Sequence, residues 1–322
     1  MRLLAAILAS ALFACSDDTV PPDDAGVPDA PVVDSTSTTD TPAASDLTPD
    51  AGACPTYDPP TKVGTVNASA INEASGLATS SRNPGVLWLH NDSGDTARVF
   101  AIDTSAKLLG TYTLGGVTAV DWEDIAVGPG PTAGESYLYL GDIGDNPSER
   151  TGIAVYRVQE PQVPAGQSPV TATLGGVETL PFVYPDGAHN AETLLVDPKT
   201  SDLYIVIKTD TATAGVYRAQ APQTPGQQRT LTRVGDVSLG VLITGGDVSR
   251  DGAEILLRTY TDAWLWRWPA GSTIAAAFSA APCKVPAAVE PQGEAIAFTP
   301  DTKDYYTLSE NASQPLYLYQ RN

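Results

Sequence analysis

Short apolar runs recur between residues 61 and 322, and apolar and polar positions alternate within many of them. β-Branched and aromatic residues dominate these runs, while Gly, Pro, Asn and Asp separate them. This pattern is typical of β-strands joined by tight turns. No stretch of the region sustains a helical period. The pattern therefore predicts an all-β fold.

The predicted strands form a weak repeat in which each unit opens with an acidic residue and then turns apolar. In the first unit, the acid is followed by second and third strands at Val86–Leu89 and Arg98–Ile102. Successive acids lie 47 to 69 residues apart. A four-stranded unit of about 40–50 residues is typical of a β-propeller blade. The five opening acids are Glu73, Glu123, Glu192, Asp247 and Glu294.

Five repeats predict a five-bladed β-propeller of four-stranded antiparallel blades over residues 61–322. Six blades are the alternative, because the long interval before Glu192 holds a Pro- and Gly-rich insertion. The last unit has three strands before Asn322. We expect the N-terminal segment Val63–Ala68 to supply its fourth strand, which would close the ring and remove exposed sheet edges.

The first fifteen residues have the pattern of a signal peptide that ends in a lipobox. Arg2 precedes the apolar run Leu3–Phe13, and Ala14-Cys15 follows. Such a run is too short to cross about 30 Å of hydrocarbon as a permanent helix. The segment resembles bacterial lipoprotein signals, which implies a signal peptide over residues 1–14 and lipidation of Cys15. Ordinary secretion with an unmodified cysteine is the alternative.

The resemblance to lipoproteins also implies a location. The chain would be lipid-anchored in a bacterial cell envelope, facing the periplasm or the cell surface, with the membrane as a partner through the anchor. Ser16 after the cysteine favours the outer membrane.

Residues 16–60 are rich in Asp, Pro, Thr, Ser and Ala and contain no Lys or Arg. Such a segment cannot bury enough apolar surface to offset the entropy of ordering it. We therefore expect residues 15–60 to form a disordered acidic linker. The whole chain has a net charge of −20, and residues 51–322 retain 29 acidic against 17 basic residues. Nucleic acid is excluded as a partner by this charge, whereas cations are favoured.

Three cysteines are present, and removing Cys15 as the lipid site leaves two. Cys54 and Cys283 can form a disulfide in an oxidising compartment. Two separate free thiols are the alternative, because the pairing is inferred by elimination.

In a propeller, the entries of the first strands and the loops after the second strands converge at one end of the central channel. Carboxylates at these entries would repel one another unless some are protonated or a cation neutralises them. Calcium accepts six to eight oxygen ligands and needs neither His nor Cys. The alternative is that these acids only cap loops and solvate the surface. The predicted metal ligands are Glu73, Glu123, Asp124, Glu192, Asp247 and Glu294.

Basic residues at two strand ends suggest an anionic small molecule or a protein partner. Lys208 and Arg258 end matching apolar strands, and both recognise phosphate or carboxylate well. The alternative is that they pair with Glu192 or Asp247 inside the ring. The remaining predicted ligand-binding residues, from the loops, are Asn91, Asp92, Asp142 and Glu310.

Several motifs resemble a group of secreted bacterial β-propeller proteins. These are Glu73-Ala-Ser-Gly-Leu77, Asn91-Asp-Ser-Gly94, Asp121-Trp-Glu-Asp-Ile-Ala126 and Gly141-Asp-Ile-Gly-Asp-Asn146. The layout of the strand entries is also similar, more distantly, to that of calcium-activated apyrases. The expected binding of calcium and phosphate resembles that of β-propeller phytases. This likeness implies calcium in the channel and a phosphohydrolase activity.

Two functions follow from these predictions. The favoured one is a binding module that holds calcium and an anionic ligand at the channel mouth. The alternative is a calcium-dependent phosphoester hydrolase. Its candidate catalytic residues are Glu123, Glu192, His90 and His189, because carboxylates and histidines exchange protons near neutral pH.

Overall fold

The computed structural model describes residues 52–322, and these residues form five β-sheets arranged as the blades of a propeller. The predicted all-β class and five blades are confirmed, and six blades are not observed. The predicted signal peptide, Cys15 and residues 16–51 of the linker lie outside the described residues. Within residues 52–322, no helix is long and apolar enough to cross a membrane.

The first two blades each carry one extra strand. Blade 1 contains β2 (Ala74–Thr79), β3 (Val86–Asn91), β4 (Arg98–Asp103) and β5 (Leu108–Leu114), with β9 (Val170–Leu174) parallel to β5. Blade 2 contains β6 (Trp122–Pro129), β7 (Ser136–Asp142), β8 (Ile153–Gln159) and β10 (Glu178–Val183), with β14 (Arg229–Thr230) parallel to β10. The long interval before Glu192 is therefore explained in part by β9, which pairs back onto blade 1.

The other three blades have four strands each. Blade 3 contains β11 (Ala191–Val196), β12 (Leu203–Ile207), β13 (Ala214–Ala219) and β15 (Thr232–Val237). Blade 4 contains β16 (Ile243–Val248), β17 (Glu254–Thr259), β18 (Ala263–Arg267) and β19 (Cys283–Val285), with the short helix α1 (Ile274–Ser279) before β19. Blade 5 contains β20 (Gly293–Phe298), β21 (Tyr305–Ser309), β22 (Pro315–Tyr319) and β1 (Thr61–Thr65), which pairs antiparallel with β22.

The hydrophobic core is divided among the spaces between neighbouring blades. Five apolar clusters are found, and each joins two adjacent blades. Successive side chains of a strand point to opposite faces of its sheet, so one strand contributes side chains to two apolar clusters. In β3, Leu87 and Leu89 pack towards blade 5 while Trp88 packs towards blade 2. A strand that is buried on both faces has apolar residues at successive positions. This explains the continuous apolar runs of the second strands.

Residues 53–60, assigned above to the linker, contact the propeller in the structure. Cys54 and Cys283 are joined by a disulfide. The Tyr57 ring packs edge-on against Tyr305 at a centroid distance of 5.0 Å. Arg267, at the end of β18, donates a hydrogen bond to the carbonyl of Ala53 at 2.8 Å. The chain therefore joins the propeller at the end of the channel opposite to the entries of the inner strands.

Candidate functional site

All five inner strands carry a β-bulge near their entry. In each one, the register against the second strand shifts by one residue at the same place. A bulge leaves one residue unpaired and redirects its side chain, and bulges are common next to functional sites. The unpaired residues are Ser75, Glu123, Glu192, Thr244 and Glu294.

Three of the five acids that mark the repeat occupy the bulge, and two do not. In blades 1 and 4 the bulge residues are Ser75 and Thr244, whose hydroxyls donate to backbone carbonyls of the next blade at 2.7 and 2.8 Å. Glu73 lies two residues before its bulge and is exposed. Asp247 lies three residues after its bulge, towards the other end of the channel. The predicted ring of five acids at one register is therefore a ring of three.

The loops after the second strands meet the strand entries, as the propeller layout predicts. In four blades, the backbone N–H just after the second strand donates to the carbonyl two residues before the bulge, at 2.8–3.1 Å. These bonds hold Asp92, Lys208 and Glu310 beside the bulged residues. We call this end of the channel the mouth.

Three carboxylates from blades 1 and 2 converge at one side of the mouth. Asp92, Asp121 and Glu123 each offer an oxygen, and these oxygens lie within 4.8 Å of one another. Gly144 stands directly behind this group, which we call the acidic triad. A Cβ atom at Gly144 would lie 2.2 Å from Glu123 Oε1 and 2.5 Å from Asp121 Cγ, so a larger residue would displace both carboxylates from these positions.

The opposite side of the mouth is partly neutralised by a lysine. Lys208 Nζ pairs with Glu192 and donates to the Tyr260 hydroxyl at 2.7 Å. Glu294 accepts a hydrogen bond from Gln292 through Oε1, while its buried Oε2 has no partner among the described residues. Among residues 52–322, no basic side chain pairs with the acidic triad, whereas Glu192 on the opposite side of the mouth pairs with Lys208.

Burial and mutual repulsion favour the protonated forms of these acids. Burial first, and then the charges of Glu192 and Asp92, raise the pKa of Glu123 well above its usual value. Burial raises the pKa of Glu294 to about 9, and that of Glu192 to about 7 despite the lowering effect of Lys208. Burial and Asp92 raise the pKa of Glu310 to about 7. At neutral pH, a cation would therefore compete with protons for this site.

These shifts predict that the propeller loses stability as the pH rises. The folded protein holds the proton of Glu192 up to about pH 7 and that of Glu294 up to about pH 9, whereas the unfolded chain releases both near pH 4.5. Stability is therefore highest at the acidic side of this window and falls towards pH 9. We expect Tm to drop by at least about 5 °C from pH 5 to pH 9 in chelator.

Calorimetry with matched variants tests this dependence. Glu294→Gln should flatten the upper part of the profile, between pH 7 and 9. Glu149→Gln, which changes an exposed carboxylate on a loop of blade 2, should leave the profile unchanged. A Tm that is constant or rises from pH 5 to pH 9 would contradict the prediction.

Two predicted ligand-binding residues, Asn91 and Asp142, bind backbone N–H groups at the strand entries. Asn91 Oδ1 accepts from the backbone N–H groups of Asn72 and Glu73 at 3.2 and 3.3 Å. Asp142 does the same one blade on, accepting from Val120 and Asp121 at 3.1 and 3.2 Å, and it also binds Arg150 at 2.8 Å. Both residues therefore hold the strand entries in place, which is the capping role considered as the alternative.

Two predicted metal ligands bridge neighbouring blades through the backbone. Asp124 accepts from the N–H of Leu194 in blade 3 at 2.9 Å. Asp247 accepts from the N–H of Phe298 in blade 5 at 2.8 Å. Each carboxylate satisfies an amide on the inner edge of the next sheet, which would otherwise be buried without a partner. Neither belongs to the acidic triad.

The two basic residues predicted to bind an anion differ in their accessibility. Arg258 is fully buried, pairs with Glu290 at 2.7 Å and donates to the carbonyl of Ala295 at 2.9 Å. Lys208 lies in the mouth but pairs with Glu192, as the alternative interpretation holds. Only Lys208 is placed to reach a ligand.

The two histidines lie in different surroundings. His90 is fully buried, with Nδ1 2.8 Å from the carbonyl oxygen of Asn91, and burial lowers its pKa. His189 precedes β11 and lies 2.9 Å from Asp186 and 3.1 Å from the Tyr217 hydroxyl. His90 is therefore buried between blades 1 and 2, where its ring packs against Trp122. His189 contacts its own loop and β13.

Asp121 and Tyr260 are the mouth residues absent from the predicted site. Asp121 stands in the Asp121-Trp-Glu-Asp motif, but its place in the triad depends on the bulge at Glu123. Tyr260 lies two residues after Arg258, and the sequence around it does not indicate that it contacts Lys208.

No protein-family model matches this chain. No curated protein matches it either. Among solved structures, it is similar to a chain of the structure titled "Crystal Structure of Mitotic Checkpoint Complex", with 15% sequence identity and a TM-score of 0.35. The match covers 74% of this chain and 62% of that chain, so this chain spans less than two thirds of its length. This likeness concerns the fold and carries no argument about function.

Proposed function

We propose that this protein is a cation-binding propeller whose acidic triad holds a calcium ion at one side of the channel mouth. The observation that carries the proposal is the approach of three carboxylate oxygens to within 4.8 Å of one another, from a loop of blade 1 and the first-strand entry of blade 2. Oxygens bound to one calcium ion at 2.3–2.6 Å lie at most about 5 Å apart, so this spacing suits the ion.

Two further features support an oxygen-binding cation at the mouth. Gly144 leaves space for two of the carboxylates at their closest approach. The unpartnered Oε2 of Glu294 is a buried acceptor in the same mouth, and such an acceptor calls for a proton or a cation. The donors are all oxygens, which favours calcium over zinc.

The proposal places the ion on the triad and away from the channel axis. Glu192 is already paired with Lys208, and Asp247 is bonded to backbone amides elsewhere. An anionic ligand would bind the open side of the ion, with Lys208 facing it from blade 3. The anion would thus be recruited mainly by the metal, since Arg258 is buried in its own ion pair.

The lipid anchor at Cys15 is proposed from the sequence alone. The hydrolase alternative stays a prediction.

Calorimetric titration of the full chain tests the cation site. Calcium should bind with release of protons, because the ion displaces them from carboxylates with raised pKa values, and affinity should increase by about tenfold or more from pH 6 to pH 8. Proton release is measured by repeating the titration in buffers of different ionisation enthalpy. Absence of calcium binding at pH 8 by folded protein would overturn the proposal.

A further inference from the structure

At the end of the channel opposite to the mouth lies a cavity with a volume of about 330 Å³. Its walls come from all five blades, at the ends of the inner strands and the turns that follow. This volume falls at the lower end of the range of about 300–1,000 Å³ found for small-molecule sites. We call it the far-end cavity.

Part of the lining of the far-end cavity is apolar. It is formed by Val127, Val196, Val248 and Phe298, one residue from each of four inner strands. Thr79, from the fifth inner strand, also lines the cavity and donates its hydroxyl to the carbonyl of Phe298 at 2.8 Å. An apolar side chain of a ligand would be desolvated favourably there.

An acidic and a basic side chain border the cavity on blade 4, and burial raises the pKa of the acidic one, Asp247, to about 7. Asp247 is largely shielded from bulk solvent, and both of its oxygens accept a backbone N–H, from Val248 and Phe298 at 2.8 Å, which leaves each oxygen a further lone pair. Arg250 is exposed and donates through Nη2 to the carbonyl of Ser80 at 2.8 Å. Among residues 52–322, its guanidinium takes part in no salt bridge, so most of its donors remain free for a ligand.

The other charged residues of the cavity neutralise each other. Arg82 and Glu135 lie at its rim and pair at 3.1 Å, with both side chains more than one third exposed. The cavity therefore presents one free acidic and one free basic group, Asp247 and Arg250, three residues apart. A ligand with adjacent positive and negative groups and an apolar body matches this arrangement.

We propose that the far-end cavity binds a free α-amino acid with an apolar side chain. Its carboxylate binds the guanidinium of Arg250, which suits planar two-oxygen groups. Its ammonium group binds the carboxylate of Asp247, and its side chain covers the valines and Phe298. This site is separate from the calcium site and does not depend on it.

Titration of the full chain with l-leucine, N-acetyl-l-leucine and l-leucinamide tests the proposal. N-acetyl-l-leucine lacks the ammonium group, and l-leucinamide lacks the carboxylate. A leucine residue inside a peptide lacks both groups. We expect l-leucine to bind and to raise Tm, and each analogue and glycine to bind at least tenfold more weakly. Lack of leucine binding at about 10 mM, or equal binding of the analogues, would overturn it.

Matched arginine variants locate the site. Arg250→Gln should weaken leucine binding at least tenfold, and Arg250→Glu should abolish it by repelling the carboxylate. Arg229→Gln, on the outermost strand of blade 2, should leave leucine binding unchanged. Arg250 is exposed, so these variants are expected to fold, which circular dichroism checks. Unchanged leucine binding in Arg250→Gln would refute the assignment. Calcium binding should stay unchanged in this variant, because the acidic triad lies at the other end of the channel.

Discussion

Replacing Glu123 by glutamine is expected to weaken calcium binding by about 100-fold, because the ion loses one of three converging carboxylates. Asp121→Asn should act in the same direction. Glu294→Gln should weaken binding by less than about tenfold, since Glu294 lies outside the triad and would influence the ion only through its charge. Titration calorimetry in a chelator-treated buffer at pH 8 measures all three.

The control for these variants is the stability of the calcium-free protein. Glutamine has the shape of a protonated glutamate, and burial already favours the protonated form of Glu123. Glu123→Gln should therefore keep or raise the Tm in chelator while it loses calcium binding. A change in calcium affinity below about twofold, with the protein folded, would show that the ion does not use the triad.

Replacing Arg258 by leucine is expected to lower the free energy of unfolding by about 3–5 kcal/mol. Arg258 and its partner Glu290 are both almost completely buried, and the substitution would leave the carboxylate of Glu290 without its charged partner. The carbonyl of Ala295 would also lose its donor. Urea denaturation followed by circular dichroism measures the change.

Two further variants separate the ion pair from its surroundings. The double variant Arg258→Leu with Glu290→Leu should be more stable than Arg258→Leu alone, because no unpaired charge stays buried. Arg82→Leu removes an exposed pair with Glu135 and should cost less than about 1 kcal/mol. An equal loss for Arg82→Leu and Arg258→Leu would contradict the role given to burial.

The two candidate sites lie at opposite ends of one channel, and the inner strands connect them. Glu294 at the mouth and Phe298 at the far end belong to the same strand, β20. Asp247 bonds to the backbone of Phe298 in that strand, so blades 4 and 5 are held together at the far-end cavity. The inner strands thus present an acidic surface at the mouth and a surface with one free acidic and one free basic group at the far end.

The sequence predicted the fold well because blade formation depends on local patterns. Alternating and continuous apolar runs specify strands with one or two buried faces, and turn residues set their lengths. The predicted strands at Val86–Leu89 and Arg98–Ile102 lie within β3 and β4. Five repeats of one pattern were enough to give the number of blades.

The sequence predicted the chemical character of the mouth but not its detailed arrangement. Acids at strand entries and polar residues after second strands could be read from the repeat. Which of them face one another depends on the bulges, and a bulge shifts the side chains without a clear signal in the sequence. Glu73 and Asp247 were therefore aligned with Glu123, Glu192 and Glu294, although their side chains lie elsewhere.

The sequence by itself thus determined an all-β propeller of five blades and an acidic channel end, because apolar periodicity and composition act locally along the chain. The tertiary structure alone decided that Asp92, Asp121 and Glu123 converge, that Lys208 binds Glu192, and that Arg258 is buried against Glu290. These contacts join residues from different loops and strands, and several cross between blades. Their distances depend on how the sheets pack against one another, which no local pattern encodes.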